Sequence, residues 1–101
     1  MILFNITCHI EHNIERHFTK WITEDFLLRI KSNAFVFNAH FFRLLTEIDD
    51  QAKSFSFQII FESMPNYNQF QLEFEDRFVA ELQDKFHNKI FTFTTLLEEY
   101  K

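Results

Sequence analysis

The sequence predicts an α+β protein in which two helices cover one face of a four-stranded antiparallel sheet. Three observations support this class. Residues 54–62, SFSFQIIFE, alternate between apolar and mostly polar side chains, as a strand with one buried face does. Two longer stretches repeat apolar residues every three or four positions, which is typical of amphipathic helices. The 16 phenylalanines among 101 residues supply enough apolar surface for one core without disulfides or metals.

The first strand and helix are predicted in the first third of the chain. Met1–Ile10 alternates two sets of side chains, one of them wholly apolar, which favours a central strand. Glu11–Lys31 has helical spacing, with an apolar residue at every fourth position. Asp25 and Arg29 fall inside that apolar stripe on an ideal helix. We therefore expect an ion pair between them or a helix irregularity near Phe26, with a functional Asp25 as the alternative.

The second and third strands are predicted to form a hairpin. Ala34–Ile48 reads as a long strand, with a bulge or change of face near Arg43, where the alternation breaks. Asp49–Lys53 is polar and predicts the connection. Ser54–Glu62 is the third strand, and its set of Phe55, Phe57, Ile59 and Phe61 is expected to face the core.

The second helix is predicted to begin after Ser63, which is a plausible N-cap, with Pro65 in the first turn. An aromatic stripe from Tyr67 to Phe86 at helical spacing predicts a core-facing surface. The sequence has no glycine, so turns that need a positive φ must use asparagine or aspartate. The candidates for this conformation are Asn33, Asn88 and the pair Asp49-Asp50.

Lys89–Leu97 is predicted to be the last strand. We expect Thr92, Thr94 and Leu96, or their neighbours, to face away from the helices, and the phenylalanines to point toward them. The order β-α-β-β-α-β with right-handed crossovers predicts a ferredoxin-like sandwich that occupies residues 1–101 as a single domain.

Composition and charge exclude several functional classes. Cys8 is the only cysteine, which precludes an intrachain disulfide and favours a reducing, cytoplasmic location. The net charge of −5 and the lack of a Lys/Arg cluster argue against a nucleic-acid partner and an anionic membrane surface. The apolar start of the chain alternates and lacks a basic flank, so it does not predict a secretory signal, and no apolar run reaches the length of a membrane span.

The sheet face opposite the helices is predicted to mix apolar and polar side chains. Such a surface usually marks an interaction site. We expect a homodimer in which two open faces meet around a polar cleft that could take a small-molecule ligand. The candidate cleft-lining residues are Asn5, Thr7, His9, Asn38, His40 and Gln58.

The sequence contains no motif that defines a metal site or a catalytic centre. His9 and His40 could share the open face, but two imidazoles without a third ligand do not predict a bound metal. No phosphate-binding loop of the glycine-rich kind is possible without glycine. Any cofactor therefore stays unknown, and catalytic activity stays open.

Two stretches, FESMPNYNQF at 61–70 and FHNKIFTFTTLLE at 86–98, carry a resemblance that extends over the whole chain. With the first strand and Trp21, they resemble a family of small bacterial proteins known as a domain of unknown function. The matching residues are Met1, Ile2, Phe4, Asn5, Ile6, Thr7, Trp21, Glu62, Ser63, Met64, Tyr67, Phe86, Phe93, Thr95, Leu96, Leu97, Glu98 and Glu99. The chain departs from the family pattern at Phe26-Leu27-Leu28, where that pattern has His-Ile-Pro, and at Ala34, where it has glycine.

The resemblance implies a ferredoxin-like fold of the dimeric α/β-barrel kind and implies no activity. The leading hypothesis is a cytoplasmic homodimer that binds a small molecule or serves a partner. The first alternative is an enzyme similar to the cofactor-independent monooxygenases, isomerases or haem-handling proteins of that fold, with His9, His40 or Asp25 as candidate catalytic groups. The second alternative is a purely structural interaction module with a filled, dry interface. Because fold does not determine function, the sequence leaves the three open.

Overall fold

The computed structural model describes residues 1–46 and 52–101 and confirms the predicted α+β sandwich. Its strands are β1 Ile2–Glu11, β2 Asn38–Arg43, β3 Ala52–Phe61 and β4 Ile90–Glu98. All strand pairs are antiparallel, and the spatial order is β2-β3-β1-β4. The first and third strands are therefore central, as the apolar set of the first strand predicted for that strand.

Two helical segments connect the strands, and each contains a π-helical turn between α-helical parts. The first consists of a 3₁₀ turn His12–Ile14, α1 Glu15–Trp21, a π turn Ile22–Phe26 and α2 Leu27–Lys31. The second consists of α3 Met64–Phe70, a π turn Gln71–Glu75 and α4 Asp76–Lys85.

The π turns follow from the apolar spacing. In the first segment, four residues that recur every four positions are all fully buried, namely Phe18, Ile22, Phe26 and Ile30. An α-helix turns once in 3.6 residues, so a strict four-residue repeat would drift off the buried face. A π turn, with its wider i→i+5 winding, corrects the drift. The second segment has the same four-residue stripe at Phe70, Phe74, Phe78, Leu82 and Phe86.

The core lies between the helices and one face of the sheet. The apolar residues of β1 and β3 that face the helices are all buried, including Phe57, which is fully enclosed. The Phe57 ring packs against the rings of Phe26 and Phe41 at centroid distances of 5.2 and 6.1 Å. Truncating a phenylalanine enclosed in this way costs about 3–5 kcal/mol. The aromatic stripe therefore serves the core, as its spacing predicted.

The ion pair predicted at Asp25 and Arg29 is present. Arg29 Nε lies 2.7 Å from Asp25 Oδ1, and Arg29 Nη2 lies 2.8 Å from Glu81 Oε1 on α4. The two carboxylates raise the pKa of Arg29, with the hydrogen bond to Glu81 as the largest cause. The ion pair and the helix irregularity, which were predicted as alternatives, occur together. Asp25 lies in the π turn and is exposed, so it stands outside the buried apolar stripe.

The prediction for the second strand was wrong at its start. Residues 34–37 form turns and a bend, and β2 begins only at Asn38. The Asn33 side chain accepts a hydrogen bond from the Phe35 amide at 3.0 Å, and the Asn33 carbonyl accepts one from Val36 at 3.1 Å. This local turn competes with strand pairing, although the residues that it contains are apolar. The predicted end of the strand at Ile48 and the Asp49-Asp50 turn lie outside the described residues.

Asn88 takes the left-handed conformation that was predicted for it, with φ of 65°. Asn33 does not, because no other residue in the described ranges has a positive φ. Ser63 occupies the N-cap position of α3 without a side-chain capping bond, and Pro65 lies in the first turn.

The faces predicted for β4 were reversed. Phe91 pairs directly with His9, and Phe93 pairs with Thr7. Directly opposite residues of an antiparallel pair lie on the same face. Both phenylalanines therefore share the face of Thr7 and His9, away from the helices, while Thr92 contacts helix residue Gln83 at 2.7 Å.

Candidate functional site

The sheet surface opposite the helices is called the open face below. The residues that the strand register assigns to it are Leu3, Asn5, Thr7, His9, Glu11, Asn38, His40, Phe42, Ala52, Ser54, Ser56, Gln58, Ile60, Phe91, Phe93, Thr95 and Leu97. All six residues predicted to line a cleft are among them, and each is half-buried. Ser54, Ser56 and the two phenylalanines were missed as site residues. The pairing of β4 with β1 would have identified the phenylalanines.

A directed chain of side-chain hydrogen bonds crosses the centre of the open face. Gln58 Nε2 donates to Ser56 Oγ at 3.1 Å, and Ser56 Oγ donates to Asn5 Oδ1 at 2.5 Å. Asn5 Nδ2 then donates to Thr7 Oγ1 at 2.9 Å. The two central strands place these groups opposite each other, since Asn5 pairs with Gln58 and Thr7 with Ser56. Linked bonds of this kind polarise one another and hold the side chains in one arrangement.

His9 forms a second polar group at one end of the open face. Its Nδ1 is hydrogen-bonded to Ser54 Oγ, and the Ser54 side chain is buried. The imidazole lies beside the rings of Phe91 and Phe93, at centroid distances of 6.3 and 5.7 Å. A groove of about 260 Å³ adjoins this group and is lined partly by His9 and Phe91. The contacts fix the imidazole plane and direct Nε2 away from Ser54.

Large apolar side chains surround the polar centre and remain exposed. Phe42 on the β2 edge is 52% exposed, and Phe91, Phe93 and Leu97 on the β4 edge are 65%, 47% and 50% exposed. Exposed apolar groups that cluster on one surface mark an interaction site more strongly than the same groups scattered over a protein.

The remaining candidate groups do not assemble with His9. His40 lies on β2, beside Phe42 at 5.9 Å, and the whole of β3 separates it from β1. Asn38 uses its side-chain oxygen locally, accepting from the Ala39 amide at 2.8 Å. Asp25 lies on the helical side in its ion pair with Arg29, away from both histidines. Within residues 1–46 and 52–101, no group of three His, Cys, Asp or Glu residues could hold a metal.

Two other titratable groups belong to the core. Burial raises the pKa of the Cys8 thiol to about 12 from an ordinary 9.0, so the reactive thiolate is suppressed near neutral pH. Burial, followed by the hydrogen bond that the hydroxyl donates to Glu75 at 2.7 Å, raises the pKa of Tyr67 well above its ordinary 10.0. Neither side chain lies on the open face, and both are structural.

The element order and sheet topology define a ferredoxin-like protein, and solved structures agree. A dimeric ferredoxin-like protein from an uncultured marine organism is 16% identical, with a TM-score of 0.62 over 100% of this chain and 99% of the other. The de novo designed protein Foldit4 is 12% identical, with a TM-score of 0.60 over 98% of each chain. Another designed protein with a ferredoxin fold is 16% identical, with a TM-score of 0.52 over 100% of this chain and 88% of the other.

Residues 1–100 match the family described as Domain of unknown function (DUF4286), and the chain belongs to that family. The resemblance of the sequence to a domain of unknown function is thereby confirmed. No curated protein matches the chain. In the part of the chain that the structure describes, no helix combines the length and the apolar character needed to cross a membrane.

Proposed function

We propose that the chain forms a homodimer through its open face and that the polar centre of this face becomes a cleft for a small molecule. The observation that carries the proposal is the arrangement of this face, where exposed apolar side chains on both edge strands flank a hydrogen-bonded polar centre. Pairing two such faces would remove the phenylalanines from water. It would leave the polar groups of both copies facing each other across the interface.

The likeness to a dimeric ferredoxin-like protein over nearly the full length of both chains supports the proposal. The charge of the face supports it as well. Its ionisable side chains are His9, His40 and, at the end of β1, Glu11, whose carboxylate lies 3.7 Å from Lys89 Nζ. Two copies can therefore approach without bringing unpaired like charges together, although the whole chain carries a net charge of −5.

The ligand that suits this cleft is a small, mostly planar molecule with hydrogen-bonding groups. His9 Nε2 and the hydroxyl of Thr7, at the acceptor end of the hydrogen-bond chain, would contact its polar atoms. The rings of Phe91 and Phe93 would contact its apolar part. Sites for small molecules commonly combine apolar walls with a few fixed polar groups in this way. The buried, lone Cys8 is compatible with the reducing cytoplasm that we propose as the location.

Sedimentation velocity and native mass spectrometry of the gently purified chain test both parts of the proposal. A species of twice the 12.4 kDa chain mass that carries an additional small mass is the expected result. A dimer that stays bare after incubation with cell metabolite extract would support the structural module instead. A monomer at all concentrations up to the millimolar range would overturn the proposal.

A further inference from the structure

A second surface, on the helical side of the molecule, concentrates positive charge in an acidic protein. Two elements supply the polar side chains of this surface. Lys85 comes from the end of α4, and the first helical segment contributes Asn13, Arg16, His17, Lys20 and Glu24. These residues line a groove of about 570 Å³, here called the basic groove. Three cations and one carboxylate give it a surplus of two positive charges, whereas the chain as a whole is at −5.

No cation of the basic groove forms an ion pair within the part of the chain that the structure describes. Arg16, Lys20 and Lys85 make no ion pair with any group in the described ranges, whereas Arg29 and Lys89 each reach a carboxylate elsewhere on the surface. The chain contains 15 acidic and 10 basic residues, so a groove lined by three cations and one carboxylate departs from the overall composition. A bound anion would supply the negative charge that the lining of the groove lacks.

Trp21 lines the basic groove and packs against two phenylalanine rings. Its ring stacks on Phe26 at a centroid distance of 5.0 Å and meets the edge of Phe86 at 5.7 Å. Lys85 Nζ lies 5.4 Å from the indole centroid, in a cation–π contact. Lys85 is therefore directed inward over the groove. The packed indole thus positions the Lys85 ammonium group beside the other cations of the groove, where it can contact a ligand.

We propose that the basic groove binds a small phosphate-bearing anion, of the size of a pyrophosphate or a phosphorylated metabolite. The donors on its walls are a guanidinium, two ammonium groups, an imidazole and an amide, which suit the oxygens of a phosphoryl group. The volume exceeds that of a single inorganic phosphate and falls within the usual range for small-molecule sites. Glu24 opposes any anion at one end, so the negative groups of the ligand would lie nearer to Arg16, Lys20 and Lys85. This site does not depend on the open face or on dimerisation.

The only tryptophan of the chain makes the proposal directly testable. Inorganic pyrophosphate is titrated into the purified full chain while the emission of Trp21 is recorded at constant ionic strength. An anion that draws Lys85 away from the indole changes the emission, so we expect a saturable response. Arg16→Gln and Lys20→Gln should each weaken the apparent affinity about tenfold or more, because each removes a charged hydrogen-bond donor. Both side chains are exposed, so both variants are expected to fold.

Lys31→Gln is the matched control, because Lys31 is an exposed lysine of the same helical segment that does not line the groove. The control should bind pyrophosphate as the unmodified chain does. A response that is linear and is reproduced by sodium chloride would show screening of surface charge and would overturn the proposal. A saturable response that Arg16→Gln and Lys20→Gln leave unchanged would place the anion elsewhere and would overturn it equally.

Discussion

Substitution of Phe91, whose side chain is 65% exposed in the single chain, tests the proposed dimer most directly. If two open faces meet, the exposed part of this ring leaves water. A phenylalanine side chain offers on the order of 200 Å², so about 130 Å² would be covered in each protomer. At about 25 cal/mol per Å², this burial contributes about 3 kcal/mol, of which alanine would retain about a third.

Phe91→Ala should therefore weaken association by about 2 kcal/mol per protomer, or about 4 kcal/mol per dimer, since both copies lose the ring. The dissociation constant should rise about a thousandfold. Sedimentation equilibrium over a wide range of concentrations measures this constant for the unmodified chain and the variant. Thermal unfolding of the dilute monomer should change little, because the ring is largely exposed before association.

Phe37→Ala provides the control, because Phe37 is 54% exposed but lies before β2 and outside the open face. This variant should leave the dissociation constant within about threefold of the original, which corresponds to less than about 1 kcal/mol. If Phe91→Ala and Phe37→Ala dimerise equally well, the interface lies elsewhere and the reasoning from exposed area is refuted.

Three further predictions concern the stability of the single chain. Because the folded chain retains the Cys8 proton that the unfolded chain releases above pH 9, stability should fall from pH 9 toward 12. In urea unfolding, the free energy of unfolding of the unmodified chain should decline by about 1.4 kcal/mol per pH unit more than that of Cys8→Ala in that window. Parallel pH profiles of the two proteins would contradict the raised pKa of Cys8. Asn88→Gly should raise the free energy of unfolding by up to about 1 kcal/mol because of the positive φ, whereas Asn33→Gly should lower it, and equal effects would be evidence against this distinction. Ser56→Ala should lower the free energy of unfolding by about 1–2 kcal/mol, since it removes the donor to Asn5 Oδ1. Urea unfolding measures this change, and an unchanged midpoint of unfolding would show that the hydrogen bond contributes nothing to stability.

Part of the structure could be predicted from the sequence because neighbouring residues differ clearly in polarity. In β3 the apolar set alternates with serine and glutamine, so the buried face could be assigned from the strand alone. The apolar stripes of the helices were equally regular. Their spacing of four residues indicates a π turn in each segment, whereas the irregularity near Phe26 was predicted from Asp25 and Arg29 alone. The candidate cleft residues of β1 and β3 followed directly, because their face is the complement of the core face.

The predictions for residues 34–37 and for the faces of β4 were wrong because the local alternation of apolar and polar residues did not decide the structure there. Residues 34–37 are apolar and suit a strand, yet the Asn33 side chain satisfies the Phe35 amide and holds the backbone in a turn. In β4, both faces contain apolar residues and threonines, so alternation could not distinguish them. Its orientation is decided by register against β1, a long-range property that no window of the sequence contains.

The orientation of β4 bears on function in two ways. Aromatic side chains on an open sheet face are a feature of RNA-binding sheets, and Phe91 and Phe93 lie on that face, not toward the helices as predicted. Two observations still argue against binding of a phosphate backbone. The chain has a net charge of −5, and the open-face residues of the paired strands include no arginine or lysine to contact phosphates. The same orientation adds two exposed rings to a face already expected to be partly apolar. An aromatic surface with so little charge is better suited to a second copy of itself than to a polyanion, so the correction strengthens the homodimer proposal.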